Sequence, residues 1–358
     1  MSKRRPLRAS EIHRILVLQI GPIGDTIFTI PALKALRQNF PSATIVVLAS
    51  ARAADVLRGL PYLDLLRVSR SGLDLIRAVI EFRQSGFDLA LGLSNQGSWL
   101  AGFCGTPFKA GFPAPLLYLS EPGPVKEEPS SHVVEYCLSV IRMLGGAVPE
   151  DRRLELPLTQ AELDRAACFM NMHHLDTPVV AIHPGGRYFP LKRWPVDRFA
   201  RLAEILMGRG LGVVVVGGPE DSELASLMDK QMRARAVTVV GKMRIRETAA
   251  LLARCQLFVG NDSAPLHMAA AVNTPSIGLF GPTSPAQYSP YGTGHVVICK
   301  SLPCSPCFRF LGGLGQYLPR CTRPQCMEAI GVDEVASAVL ARLGMSQAGH
   351  SSGEGLRH

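Results

Sequence analysis

The stretch Asn261–Val272, NDSAPLHMAAAV, lies between two apolar runs, QLFVG (Gln256–Gly260) and PSIGLFG (Pro275–Gly281). The first run predicts a strand ending at Gly260, the polar residues a tight turn, and Pro265 the opening of a helix. Proline at the first helical position loses nothing by lacking an N–H. Asp262 or Ser263, just before it, offers a side-chain oxygen to cap free backbone N–H groups. A helix starting straight after a strand points unpaired N–H groups and partial positive charge at the carboxyl edge of its sheet. Open α/β sheets bind anions such as nucleotide phosphates at that edge.

The same design recurs near the other end of the chain. An apolar strand, Ile15–Ile20, leads into the glycine-bearing turn GPIGDT (Gly21–Thr26) and then a helical pattern through Leu33 and Leu36. Two separated strand–turn–helix units of this type predict two nucleotide-binding halves facing each other. Between and after them, apolar runs of strand length alternate with helical segments. TIVVLAS (Thr44–Ser50), FDLALGL (Phe87–Leu93), VVAIH (Val179–His183), GVVVVGG (Gly212–Gly218) and AVTVVG (Ala236–Gly241) are the other clear strands. Strands separated by helices of this length mean βαβ units and parallel sheets. Phe112–His132 reads as a long surface loop and Ala147–Leu158 as a linker. The expected architecture is α/β, with an N-terminal domain over 1–158, a C-terminal domain over 159–345 and a disordered polar tail over 346–358.

Composition narrows the partners. With 358 residues, 47% hydrophobic and 19% charged, the chain is an ordinary folded protein large enough for two cores. Its net charge of +9 favours anionic partners such as nucleotides, phosphorylated sugars, nucleic acid or an acidic membrane surface. Lys3, Arg4, Arg5, Arg8 and Arg14 form a basic lead-in without an apolar helix of its own, so no signal peptide is expected. No apolar run is long enough to span a bilayer, and a cytoplasmic protein is expected. Of nine cysteines, four cluster as Cys304-x2-Cys307-x13-Cys321-x4-Cys326. Two readings stay open for them, a structural zinc site or reduced thiols packing a C-terminal loop.

The motifs each carry two readings as well. Asp25 at the mouth of the GPIGDT turn is either a helix cap or an ionised carboxylate able to take a proton from a substrate hydroxyl. HPGGRYFPLKRWP (His183–Pro195) is either a solvated basic loop or a diphosphate cradle, with Gly185 and Gly186 for close backbone approach and Lys192 as point charge. At the next strand end, Gly217-Gly218-Pro219-Glu220 places a carboxylate that either meets a nucleoside hydroxyl or caps the following helix. His267 lies in the first turn of the Pro265 helix, beside the anion site, although a lone histidine is more often structural.

Taken in order, GPIGDTIFTIPAL, AIHPGG with LKRWP, VVGGPED and GNDSAPLHMAAA resemble glycosyltransferase family 9, the ADP-heptose:lipopolysaccharide heptosyltransferases. The match runs from about Arg14 to Leu343, and the CSPC segment is similar to one in many members. The resemblance implies a GT-B fold, with two Rossmann-like domains facing across a cleft, and an inverting, metal-independent transfer that requires no cofactor. It implies Asp25 as general base, Lys192 on the phosphates, Met243 at the adenine, and Asp262, Ser263, Ala264 and His267 on the donor-binding turn with Gly185, Gly186, Gly217, Gly218 and Glu220. Gly24, Asn95 and His132 fall on the acceptor side. Pro22 departs from the serines that many members carry before I-G-D. The implied partners are an ADP-sugar donor, a lipid-linked oligosaccharide acceptor and, peripherally, an anionic membrane, with no nucleic acid. A sugar-nucleotide epimerase of similar architecture and a non-catalytic nucleotide-sugar binder are the alternatives.

Overall fold

The computed structural model describes residues 11–112, 132–186, 190–311, 314–317 and 321–345. The basic lead-in before residue 11, nearly all of the Phe112–His132 loop and the tail from Ser346 lie outside the described residues.

The N-terminal half alternates as expected. It runs β1 (Arg14–Gln19), α1 (Ile23–Phe28), α2 (Ile30–Asn39), β2 (Thr44–Ser50), α3 (Ala51–Leu57) and β3 (Leu65–Ser69). Then follow α4 (Gly72–Gln84), β4 (Leu89–Gly92), α5 (Asn95–Ala101), β5 (Phe108–Gly111) and α6 (Val133–Met143). The C-terminal half begins with α7 (Gln160–Met172), β6 (Val179–His183), α8 (Val196–Gly208), β7 (Gly212–Val215), α9 (Ser222–Gln231) and β8 (Val237–Thr238). It continues through α10 (Ile245–Leu252), β9 (Leu257–Asn261), α11 (Ala264–Ala271), β10 (Ser276–Phe280), α12 (Pro285–Tyr288) and β11 (Val296–Cys299). A small hairpin, β12 (Phe308–Leu311) and β13 (Leu314–Tyr317), precedes α13 (Gln325–Glu328) and α14 (Val332–Arg342).

The strands form two parallel sheets, ordered β3-β2-β1-β4-β5 and β11-β10-β9-β6-β7-β8. Their central strands read as unbroken apolar runs because helices cover both faces: β1 is buried from Ile15 to Gln19, and β6 and β9 throughout. Strand order reverses between β1 and β4 in one sheet and between β6 and β9 in the other. Connections leave such a pair in opposite directions, which opens a crevice beyond the strand ends. The two motif-bearing turns, GPIGDT after β1 and NDSAP after β9, lie at these two points.

One strand is shorter than its sequence predicts, and several elements carry no sequence signal. AVTVVG is a strand only at Val237–Thr238; the Val239 N–H still reaches Val215 O at 2.9 Å, but Gly241, with φ of +70°, turns the chain away. Four-residue edge strands β5 and β11 and the hairpin carry too few residues for a periodic signal. The closing helix α14 buries Val335, Val339 and Leu340 in the apolar cluster of Trp194 and Phe199, covering one face of the C-terminal sheet.

The linker is fastened at both ends. Lys34 binds Asp151 (2.8 Å) and Glu155 (3.2 Å), and the Leu156 N–H bonds to Ala271 O at 3.1 Å. Arg246 on α10 donates to Glu162 and to the carbonyls of Asp55, Arg58 and Pro157, tying α3 of one half to α7 and α10 of the other. Beneath these contacts one apolar cluster runs across both halves, from Phe28 and Leu57 to Leu251 and Met268. The halves are joined by core as well as by chain.

Candidate active site

At the C-terminal switch point, Asn261 ends β9 and acts as a clamp. Its Oδ1 accepts the Trp194 N–H at 2.9 Å, and its Nδ2 donates to Pro184 O (3.1 Å) and Gly185 O (2.9 Å). That clamp, with the Arg193 side chain donating to Gly186 O, fixes the segment carrying Lys192. Lys192 Nζ then reaches Asp262 Oδ2 at 2.8 Å, while His267 Nε2 lies 3.4 Å from Asp262 Oδ1. The rings of Tyr288 and Phe308 flank the ammonium at 6.0 and 5.8 Å. Burial opposes ionisation of Asp262, yet Lys192 and His267 together hold its pKa well below the usual carboxylate value. Tyr288, half-buried near Asp25 and Asp262, has its phenol pushed up by desolvation and by those two carboxylates.

Neither Asp262 nor Ser263 caps α11, contrary to the sequence expectation. Ser263 stands at the N-cap position, but no side-chain bond caps the helix; Pro265 has no N–H and the Leu266 N–H bonds to Ser263 O at 3.1 Å, so the Ala264 N–H stands at the uncapped helix end. The Ser263 hydroxyl turns back instead, 2.9 Å from His183 Nδ1; His183 Nε2 lies 3.2 Å from Asp221 Oδ2, which also accepts the Gly218 N–H at 3.0 Å. Facing the Asp221 carboxylate, Nε2 carries a hydrogen, and the Ser263 hydroxyl also lies 3.1 Å from Asn261 O. Burial raises the Asp221 pKa, but the His183 and Gly218 hydrogen bonds and Arg193 outweigh it and keep the group acidic.

Gly185 and Gly217 both lie against the Asp221 carboxylate. A Cβ at Gly185 would lie 2.0 Å from Asp221 Oδ1, and one at Gly217 would lie 2.8 Å from Oδ2. Both are glycine because the Asp221 carboxylate sits against the backbone. Asp221 bonds the Gly218 N–H, which leaves Glu220 out of the capping role; Glu220 is half-exposed and lies 3.6 Å from Arg52 of α3, across the cleft. Met243 packs, partly buried, against the shared core, and Ala264 is the first residue of α11.

At the N-terminal switch point the helix starts earlier than expected. α1 opens at Ile23, so Asp25 stands inside its first turn, not at the mouth of a loop. A permanently charged carboxylate was expected there. Burial instead raises the Asp25 pKa to about 6, against the lowering influence of Lys192 and His267 and with Asp262 adding to the rise. These influences bring the two halves together at one place, with Asp25 facing the Lys192–Asp262–His267 cluster. Gly24 makes the approach close, since a Cβ there would lie 3.0 Å from His267 Cδ2. Phe28 packs on His267 with ring centroids 4.4 Å apart.

The other acceptor-side residues are placed differently. His132 caps α6: its Nδ1 accepts the Val134 N–H at 3.1 Å, and its Nε2 donates to Ser289 O at 2.9 Å. Burial drives its pKa down to about 4, so the neutral ring works as a strut between the halves. Asn95 opens α5 and leaves its Oδ1 buried without a hydrogen-bond partner among the described residues.

The four C-terminal cysteines are near one another. Burial raises the Cys307 thiol, and Cys321 and Cys304 add to it; Cys326 is raised by burial and by Cys307 and Cys321. All four are free, and among the described residues no three His, Cys, Asp or Glu side chains are arranged to hold a metal ion.

Sequence reasoning missed Asn261, His183, Asp221 and Tyr288 as site-forming residues. Three of them stood inside the quoted motifs, where their polar character at a strand end was the available signal. Tyr288 had none.

A family model for glycosyltransferase family 9 (heptosyltransferase) matches residues 76–317, more than half of the chain. The chain belongs to that family. It is 30% identical over 296 residues to lipopolysaccharide heptosyltransferase 3 of Escherichia coli K12, covering 75% of this chain and 82% of that protein. The glycosyltransferase family 9 structure from Veillonella parvula superposes with a TM-score of 0.79 at 23% identity, over 93% of this chain and 98% of that one. E. coli ADP-heptose lipopolysaccharide heptosyltransferase II gives a TM-score of 0.74 at 23% identity, over 92% and 98% of the two chains. The GT-B expectation therefore holds for this family member.

Proposed function

We propose that this protein transfers a heptose, with inversion, from ADP-heptose to a lipopolysaccharide-core acceptor. The observation that carries the reading is Asp25, with its pKa raised to about 6, facing the Lys192–Asp262–His267 cluster across the junction of two parallel sheets. A base of that pKa is ionised at neutral pH yet basic enough to take the proton of an acceptor hydroxyl as that oxygen attacks the anomeric carbon. On the opposite side, Lys192 and the uncapped N-terminal end of α11 supply positive charge to the departing diphosphate. When the diphosphate takes up Lys192, Asp262 retains His267 as its partner. Lys192 and the helix end supply leaving-group stabilisation of the kind a divalent cation would otherwise give, which supports metal-independent transfer.

The test is direct. Purified protein with ADP-heptose and a core acceptor should release ADP and add one heptose to the acceptor by mass spectrometry. Turnover should persist in chelator, and the anomeric coupling should be opposite to the donor's. Turnover of the donor without acceptor, or chelator-sensitive activity restored by magnesium, would sink this reading. Metal analysis of the same preparation decides between zinc and free thiols at Cys304, Cys307, Cys321 and Cys326.

The proposed place of work is the cytoplasmic face of the inner membrane, with reversible attachment through basic charge. Among the described residues no helix is long and apolar enough to cross a membrane. The basic residues Lys3, Arg4, Arg5 and Arg8, a candidate source of this attachment, lie outside the described residues. Vesicle sedimentation with and without residues 1–13 measures its share.

A further inference from the structure

We propose that the outer face of α4, with the end of α5, is a docking surface for an anionic lipid bilayer. The helix has two apolar faces. Ala78, Val79 and Phe82 are buried against the N-terminal sheet. On the outer side Leu73, Ile76 and Ile80 are 70%, 57% and 54% exposed. Their spacing of three and four residues aligns them in one stripe. On α5 and just after it, Trp99 and Phe103 are 47% and 43% exposed, with rings stacked 6.4 Å apart. The two groups belong to one layer: Leu100, Ala101 and Cys104 share the apolar cluster of Ala78 and Phe82, and Gly105 packs against Arg83 of α4.

The charges around the stripe choose the occupant. Arg77 and Arg83 border it on its two sides, and both are exposed. The acidic residues of α4, Asp74 and Glu81, lie toward β3, where Arg67 reaches them at 3.0 and 3.7 Å. The stripe is thus left with a positive border. Aliphatic and tryptophan side chains between arginines are the chemistry of a helix lying in a bilayer interface, its apolar side chains among the acyl chains and its cations on lipid phosphates. Two copies stacked on this face would bring their positive borders together, whereas anionic headgroups neutralise them.

The placement suits the acceptor. α5 begins at Asn95, and Ser94 just before it accepts the Ile20 N–H beside the turn that carries Asp25. Trp99 follows about one helical turn later, roughly 6 Å along the axis at 1.5 Å per residue. A surface-bound chain therefore holds the base close to the headgroup layer.

The inference rests on a lipid-anchored acceptor, but its test needs neither donor nor acceptor, so the two readings fail separately. The full-length protein is sedimented with mixed phosphatidylcholine–phosphatidylglycerol vesicles and with pure phosphatidylcholine. Wild type should favour the mixed vesicles. Leu73→Gln/Ile76→Gln/Ile80→Gln should weaken that binding by about 100-fold or more. Arg77→Gln/Arg83→Gln should weaken it about 30-fold on mixed vesicles alone, each arginine near the surface being worth roughly a factor of five. Both variants should keep the wild-type Tm. Undiminished vesicle binding by both variants would overturn the proposal. So would a wild-type dimer in sedimentation velocity that the triple variant abolishes, because the face would then be a self-interface.

Discussion

Asp25 and Asp262 occupy equivalent places, each just beyond a central strand at the switch point of its sheet, and both feel Lys192 and His267. They nevertheless titrate in opposite directions. Asp262 touches the ammonium at 2.8 Å and the imidazole at 3.4 Å, and close opposite charge overcomes the cost of burial. Asp25 is influenced by the same cations without being their direct partner, and for it burial wins. In the proposed reaction two carboxylates driven apart in this way divide the work: one stays charged and positions the cations, the other stays basic enough to move a proton.

The sharpest way to break that division is Asp25→Asn. It should lower kcat by about 10²–10⁴-fold while leaving donor affinity nearly unchanged. Near-normal turnover would remove Asp25 from the reaction. Lys192→Ala should reduce kcat/KM by about 10²–10³-fold, raising KM as well, because the charge it offsets exists before and during transfer. A loss confined to KM would mean that it binds the donor without aiding departure of the diphosphate.

The network behind the donor turn should matter less, and differently. Asp221→Asn keeps the shape but weakens the His183 contact, and should destabilise the fold by about 1–3 kcal/mol, seen as a lower Tm. Unchanged Tm would show the His183–Asp221 contact to be dispensable. The smallest effects concern pH. Activity should fall as pH drops through about 6, where Asp25 takes up its proton. In Lys192→Ala that limb should move to higher pH, since a cation that lowers the Asp25 pKa is gone. A limb that does not move would contradict the electrostatic link between the halves. The stability sign follows from the same shift: a carboxylate whose folded pKa is raised loses stability as pH climbs from about 4 to 6. Asp25→Asn should therefore melt higher than wild type above pH 6 while being far less active, and an equal or lower Tm would argue against a desolvated Asp25.

The sequence by itself determined the two-sheet architecture, because buried parallel strands need long unbroken apolar runs and their turns need glycine, proline and small polar residues. It likewise determined where each site turn begins, since GPIGDT and NDSAP directly follow such runs. Tertiary structure alone decided what those residues do. Asp25 reads from sequence as either a helix cap or an ionised base, and only the packing that buries it raises its pKa to about 6. Gly185 reads as part of a diphosphate cradle with Gly186, and packing alone shows that it also sits, like Gly217, against the Asp221 carboxylate. His132 looked like an acceptor contact, and both its nitrogens are spent on the chain. Burial, close approach and the pairing of charges arise between segments far apart in sequence. A local pattern fixes the element on which a residue stands, and only the packed neighbours fix its charge and its role.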